Sequence, residues 1–322
     1  MGFASHLRYH WMENILYKPL KTFGVMILGG FEPQQAFIVH FITIAIGHFN
    51  HANIKITWGP LKYVFNKRIW TSRSAVNDYL LFLFNNLVKV ALIGPYLILG
   101  LYIAFYINEY LLQLFGIPSE SLTMTQTVIF YTISLSLLND FLSFGIHYLM
   151  HKIPLLWEFH KIHHSATTLN PITQYRIHPI ELIINNVRSI ITFGFVTGIF
   201  DYLSSHPLDK MLFIGVNIFS FLFLFFGANL RHSHVKLSYP TFLEKIIISP
   251  YQHQIHHSQK ESHFDKNMGS KLAVWDWAFG TLILSKAATR ISFGLGKESI
   301  RYNSFLNILL LPFKNLFVKM KK

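Results

Sequence analysis

Histidines at i,i+4 and i,i+3,i+4 spacings are the residues of this chain whose types and positions could do chemistry. His147 and His151 form one group, His160, His163 and His164 a second, and His253, His256 and His257 a third. On a helix these spacings put the imidazoles of a group on one face, so each group can reach a metal from a single direction. Clustered imidazoles repel one another if protonated and are costly to bury neutral without partners. A metal ion resolves both problems. The three groups hold more nitrogen ligands than one tetrahedral zinc needs, which points to a two-metal site. The chain has no cysteine, so disulfides, haem–thiolate ligation and cysteine-bound iron–sulfur clusters are excluded. Imidazole suits zinc, copper, iron and nickel alike. Shared between two metals, the nitrogens leave open positions for water, dioxygen or a bridging oxygen. That favours iron, since zinc cannot change oxidation state.

The groups lie just outside long apolar segments, which must position them. The chain is 52% hydrophobic and only 13% charged, unlike an average soluble domain. Runs of ~20 apolar residues mark membrane spans; four are plain, near residues 79–107, 127–147, 180–203 and 211–230, and two weaker ones lie near 15–30 and 36–49. The start of the chain lacks a short cleavable apolar core, so the first weak span is expected to stay. The net charge of +13 fits cytoplasmic loops rich in Lys and Arg. Basic patches can also mean nucleic acid, but no such motif is present and no nucleic-acid partner is expected.

Loop charges set the orientation. Lys62, Lys67, Arg68 and Arg73 precede the first strong span, Lys152, Lys161 and Arg176 follow the second, and Lys236, Lys245, Lys260, Lys266 and Lys271 follow the fourth. Residues 108–126 contain Glu109 and Glu120 but no Lys or Arg. The bias puts the histidine groups and both termini in the cytoplasm. His232, at the cytoplasmic end of the fourth span, joins them as a ninth ligand. His234 and His178 are left outside the set; His178 precedes Pro179, which suits a helix start. Asp140 shares a helix face with His147 inside an apolar span, and an intramembrane carboxylate is a functional candidate. Its expected role is a hydrogen bond to a ligand N–H, fixing that ring's tautomer. The expected fold class is an all-α integral membrane protein, with transmembrane helical hairpins and a cytoplasmic helical cap carrying a histidine-rich dimetal site.

At this point the residues match a family. The three histidine boxes resemble those of the fatty acid hydroxylase/sterol desaturase superfamily, membrane histidine-box di-iron oxygenases. Flanking residues fit too: Leu156-Trp157 before the second box, Ser165 after it, and Arg176-x-His178-Pro179-x-Glu181. So do Ser249-Pro250, His263-x-Asp265-x-Asn267-x-Gly269, Trp275-Asp276 and Phe279-Gly280-Thr281. The resemblance covers about residues 125–285, and in such proteins the fourth span ends in a His that resembles His232. It implies two iron ions, with zinc as an alternative or substituted metal, and dioxygen-dependent hydroxylation or desaturation of a membrane lipid: a sterol, a fatty acyl chain or an ether lipid. Attack on an unactivated C–H bond needs an oxidant that side chains cannot supply. Electrons would come from a separate donor of cytochrome b5 or ferredoxin type, since no flavin fingerprint or haem attachment is present. Phenylalanines from Phe213 to Phe226 could line a channel for the chain, though ordinary helix packing explains them more simply.

The order Arg176, His178, Glu181 recurs as Arg8, His10, Glu13, and His232-Ser233-His234-Val235-Lys236 is echoed by His51-Ala52-Asn53-Ile54-Lys55. No histidine lies between His51 and His147. Residues 1–66 therefore read as a degenerate half-repeat without a complete site, 67–290 as the catalytic domain, and 291–322 as a basic amphipathic tail, either an interfacial helix or a loosely packed core helix. The rival reading is a non-enzymatic zinc-binding membrane protein or an inactive relative. A membrane zinc hydrolase would need a carboxylate base beside its ligands, and no box has a Glu between its histidines.

Overall fold

The computed structural model describes residues 63–204, 223, 227–288 and 291–321. Among them the chain is helical, with isolated β-bridges and no strand. The half-repeat up to residue 62, both weak spans and most of the fourth strong span lie outside the described residues. The main helices are α1 (Arg73–Val88), α2 (Ile98–Phe115), α3 (Met124–Lys152), α4 (Pro154–His164) and α5 (Pro179–Leu203), followed by α6 (Pro250–His256), α7 (Val274–Ala278) and α8 (Phe305–Met320). Four segments are long and apolar enough to cross a membrane: α1 with its extension to Ile93, α2, α3 and α5.

The single span expected over 79–107 is two helices. After Val88 the chain passes through a π turn at Lys89–Ile93 and a 3-10 turn at Gly94–Leu97 before α2 begins. Pro95 stands at the start of that 3-10 turn. It has no N–H to donate and its ring clashes with the carbonyl four residues back, so one α-helix cannot run through it.

The described chain divides into two compact units that interleave along the sequence. The first holds α2, α3 as far as Asn139, and α5 from Asn186. Its helices approach through small residues. A Cβ at Gly194 would stand 2.5 Å from the Gly100 carbonyl, and one at Gly198 would stand 2.5 Å from that of Ala104. This Gly-x-x-x-Gly face lets α5 close on the α2 backbone, the usual device of helices packed in lipid. Tyr131 and Leu135 of α3 pack with Val196 and Phe200 of α5. Polar side chains there find partners: Asn108 donates to Asp201 at 2.8 Å, and Arg188 donates to the Asn139 side chain at 2.7 Å.

The second unit holds α1, the end of α3 from Asp140, α4, the first turns of α5, and α6 to α8. Here α1 buries a polar face of Ser74, Asn77, Asp78 and Asn85 and leaves Leu83 and Leu87 exposed. Arg176 explains that inversion. It is fully buried and donates to Asp78 at 2.9 Å, to the Ser74 carbonyl at 3.2 Å, to the Ile162 carbonyl at 3.0 Å and to Ser165 at 2.9 Å. One guanidinium thus ties α1 to the end of α4. The tail forms α8, which buries Ile308 against Leu81, Ile162 and Tyr302 and reaches Glu158 of α4 through Asn315 and Lys319 at 2.8 and 2.7 Å. Burial raises the Glu158 pKa, but the hydrogen bonds from Lys161 and Lys319 outweigh it and hold the carboxyl below its usual range. Pro250 and the reciprocal Ser249–Gln252 bonds start α6 at a fixed point, a capping box with proline in the first turn.

Candidate metal centre

Helix ends position the histidines. His147 and His151 lie at the end of α3, His160, His163 and His164 at the end of α4, His253 and His256 on α6 with His257 just after it, and His232 closes the 3-10 turn Ala228–His232. All belong to the second unit. They do not sort by sequence group. His147, His151, His160, His164 and His256 form one set and His163, His232, His253 and His257 another, with ligand-type atoms within 4.8 Å of one another in each. The groups on α4 and α6 are thus each divided between the two sets. Successive helical residues point about 100° apart, so His163 and His164, and likewise His256 and His257, turn toward different sets. The groups on α4 and α6 are shared between two centres that lie side by side, with the His164 and His257 rings stacked at 4.6 Å.

The outer ring nitrogens reveal the tautomers. His147 Nδ1 lies 2.7 Å from the Met268 carbonyl, His256 Nδ1 2.8 Å from that of Lys266, and His163 Nδ1 3.3 Å from that of Arg176. A carbonyl only accepts, so each ring donates from Nδ1–H. His160 Nδ1 faces Glu181 at 3.0 Å and His151 Nδ1 faces Asp265 at 3.2 Å. A neutral ring that donates from Nδ1 keeps a bare lone pair at Nε2. His147 Nε2, bare by that reasoning, lies 3.1 Å from His160 Nε2.

In the second set His232 Nε2 lies 3.0 Å from both His163 Nε2 and His253 Nε2, and His257 Nε2 lies 3.2 Å from His253 Nε2. Four ring nitrogens thus converge there. Nε2 of His151, His164 and His256 has no hydrogen-bond partner among the described residues.

Extra protons do not supply the missing positive charge. Burial first, and then the neighbouring imidazoles, hold His160, His164, His232, His253, His256 and His257 well below the ordinary histidine pKa. Burial also pushes His163 down to about 4. Metal cations fit. Nitrogens about 2.0–2.1 Å from a metal stand about 3.0–3.4 Å from each other in octahedral or tetrahedral arrangements, the spacing these Nε2 atoms already have.

Asp140 does not play its expected role. Its carboxylate accepts from the backbone N–H of Lys271 and Leu272 and from the Trp275 indole, each at 3.0 Å, and among the described residues no imidazole donates to it. The shared helix face brings Asp140 to the loop beneath the site rather than to a ring, because an i,i+7 offset is two turns, or about 10 Å, of helix. The carboxylates that do touch rings are Glu181 and Asp265. Neither was assigned a role from the sequence, although both stood in flanking motifs. Asp265 is held down to about 2, first by the His151 hydrogen bond and then by Lys152, against the effect of burial.

The loop carrying Asp265 is itself fixed. Asp265 and Asn267 have left-handed φ of 57° and 52°, conformations that short polar side chains tolerate best. Asn267 braces the loop by donating to the Gln252 carbonyl and accepting from Ile283 N–H at 3.0 and 2.7 Å. Asp276 accepts from Met268 and Gly269 N–H at 2.8 and 2.7 Å, which holds the Met268 carbonyl under His147. A Cβ at Gly269 would meet the Leu272 carbonyl at 2.6 Å, so glycine is required there. His178 and His234 lie outside both sets. His178 accepts from Ile180 N–H at 3.1 Å and bonds the Leu309 carbonyl at 3.1 Å, while His234 bonds the Tyr63 carbonyl at 2.8 Å.

The fatty acid hydroxylase family matches residues 132–281, a stretch that contains both imidazole sets. This stretch belongs to the fatty acid hydroxylase superfamily. The resemblance read from the histidine boxes is borne out. The chain is 31% identical over 135 residues to an ornithine lipid hydroxylase of Rhizobium tropici, covering 42% of this chain and 36% of that protein. It is 28% identical over 148 residues to the alkylglycerol monooxygenase of Homo sapiens, covering 44% and 28%. A cholesterol 25-hydroxylase-like protein of Danio rerio is 28% identical over 150 residues, covering 45% and 53%. The match thus spans about a third of the first two relatives' length and about half of the third. No solved structure matches the chain. With this family match and four helices long and apolar enough to cross a bilayer, the chain is a membrane protein.

Proposed function

We propose that the chain is an integral-membrane di-iron oxygenase that hydroxylates a lipid with dioxygen and electrons from a separate protein donor. The observation that carries this reading is the convergence of buried ring nitrogens in two adjoining imidazole sets, with Nε2 atoms 3.0 to 3.1 Å apart. His147, His151, His160, His164 and His256 would hold one iron, and His163, His232, His253 and His257 the other. Five and four nitrogens leave positions open for an oxygen species. Bound there, iron supplies the oxygen activation and electron changes that side chains cannot.

The chain's own residues orient and shield. Glu181 and Asp265 keep protons on His160 Nδ1 and His151 Nδ1, and the Met268, Lys266 and Arg176 carbonyls do the same for His147, His256 and His163. Each interaction presents a ring's Nε2 lone pair inward. Trp157 lies 5.1 Å from the His151 ring and 5.4 Å from that of His164, an aromatic face beside both rings. Hydroxylation is preferred to desaturation because the relatives are named hydroxylases and monooxygenases. The site and both termini are assigned to the cytoplasm from loop charge.

The test is metal analysis on protein purified without oxygen, followed by addition of lipid and dioxygen. About two irons per chain, with one oxygen atom gained by the lipid, is the expected result. One zinc with no turnover would establish the non-enzymatic zinc-binding reading instead.

A further inference from the structure

The tail helix α8 has two unlike faces. Ile308, Asn315 and Lys319 stand on one side and dock on the second unit, Ile308 against Leu81 and Ile162 and the other two on Glu158. Leu306, Leu310, Phe313 and Phe317 stand on the opposite side and are exposed. Such i, i+4, i+7, i+11 spacing aligns them in one stripe along the helix. All of α8 lies beyond the stretch shared with the family.

Length excludes a crossing. The 16 residues of α8 span about 24 Å, short of the ~30 Å hydrocarbon core, and the inner face is tied to α4. An exposed apolar stripe on a helix that cannot cross suits the plane of a bilayer surface. Its neighbour α1 is a candidate span and meets α8 through Leu81 and Ile308 and through the Phe84 and Phe305 rings at 5.7 Å. On α1 the residues Val76, Leu80, Leu83 and Leu87 are exposed at the same spacing.

Charge names the lipid. Residues 305–321 contain Lys314, Lys319 and Lys321 and no Asp or Glu. Lys319 serves Glu158, which Lys161 also neutralises. Lys314 and Lys321 belong to no ion pair among the described residues. The helical turn sets both about 50–70° to one side of the stripe, where their stems can lie along it while the ammonium groups reach lipid phosphates. Lys321 already lies over the Phe317 ring at 4.4 Å. A second copy of α8 would bring more lysines and no carboxylate to meet them.

We propose that α8 lies in the surface of an anionic bilayer, with its stripe among the acyl chains and Lys314 and Lys321 at the lipid phosphates. The inference goes beyond the oxygenase reading and does not depend on it. Glu158 fastens α8 to α4, and the Phe313 ring packs against Phe159 of α4 at 5.4 Å. Because α4 carries His160, His163 and His164, the depth of α8 fixes the height of those rings above the lipid.

The chain has no cysteine, so a nitroxide on one introduced cysteine reports one position. Leu306→Cys, Asn307→Cys and Leu310→Cys are compared in the full chain, in nanodiscs of phosphatidylcholine alone or mixed equally with phosphatidylglycerol. The readout is collision with oxygen, which enters lipid, against collision with a water-soluble nickel chelate. In the mixed discs the labels at 306 and 310 are expected to favour oxygen and the label at 307 nickel, with metal content unchanged. Lys314→Gln together with Lys321→Gln is expected to lower the oxygen preference at 310 to its value in phosphatidylcholine alone, each lysine being worth about fivefold in the ratio of embedded to detached helix. A 310 label that meets nickel as readily as the 307 label overturns the proposal. So does one shielded from both reagents, which would mark a second copy or another protein on the stripe. Equal behaviour in the two lipids, or no effect of the lysine pair, overturns the anionic assignment.

Discussion

The two units of this protein bury their surfaces by opposite means. The first brings α2 and α5 backbones together through Gly194 and Gly198 and fills the rest with apolar side chains such as Tyr131, Leu135 and Phe200. The second buries charge: Arg176 against Asp78, Glu158 against Lys161 and Lys319, and the imidazole sets against carbonyls and carboxylates. A close-packed apolar contact tolerates small adjustments gradually. A buried polar network fails when one member is lost, because the partner left behind is charged and dry. The difference teaches where metal dependence and pH dependence should reside.

Acid should separate the units most. The site imidazoles have folded-state pKa values pushed below the ordinary 6.5, His163 to about 4. A depressed value favours folding of the neutral form, so stability is full above about 6.5 and is lost as pH falls toward 4. Thermal unfolding of metal-free protein from pH 7.5 to 4 should show the second unit melting earlier as acid is added. Constant melting across that range would contradict the burial of neutral rings.

Arg176→Met should come next, at about 3–5 kcal/mol, because it strands the Asp78 carboxylate. Hydrogen exchange should rise throughout α1 and α4, with loss of bound metal. Gly194→Leu should cost about 1–3 kcal/mol through overpacking, seen as a lower melting temperature with metal content per folded chain retained. If metal loss followed Gly194→Leu as closely as Arg176→Met, the contrast between the units would break. The smallest effect is expected from Glu181→Gln, which keeps the side chain's shape but replaces the carboxyl group that faces His160 Nδ1 with an amide. Chelator competition should show metal affinity falling about 10–100-fold with the fold intact.

Much of this was legible in the chain. Three spacing-defined groups and His232 at the end of an apolar span read as one site, because imidazoles near apolar helix ends have few other reasons to cluster. The flanking motifs fixed the family. The Gly194–Gly198 pair was also readable and was passed over, since two glycines in an apolar run say nothing until a partner helix is known. Pro95 likewise signalled the break after α1, but apolarity masked it. Sequence spacing misdirected Asp140: sharing a helix face with His147 gave the direction of the carboxylate but not what stands opposite it.

By itself, then, the sequence determined the candidate imidazoles, the helical scaffold and the apolar spans, because residue type and local periodicity are properties of the chain. The tertiary structure alone decided how the donors divide into sets of five and four, and that Glu181 and Asp265 rather than Asp140 orient the rings. Those are distances between segments far apart in sequence. They depend on where Arg176, Asn267 and Asp276 hold the loops, and no periodicity within a single segment encodes that.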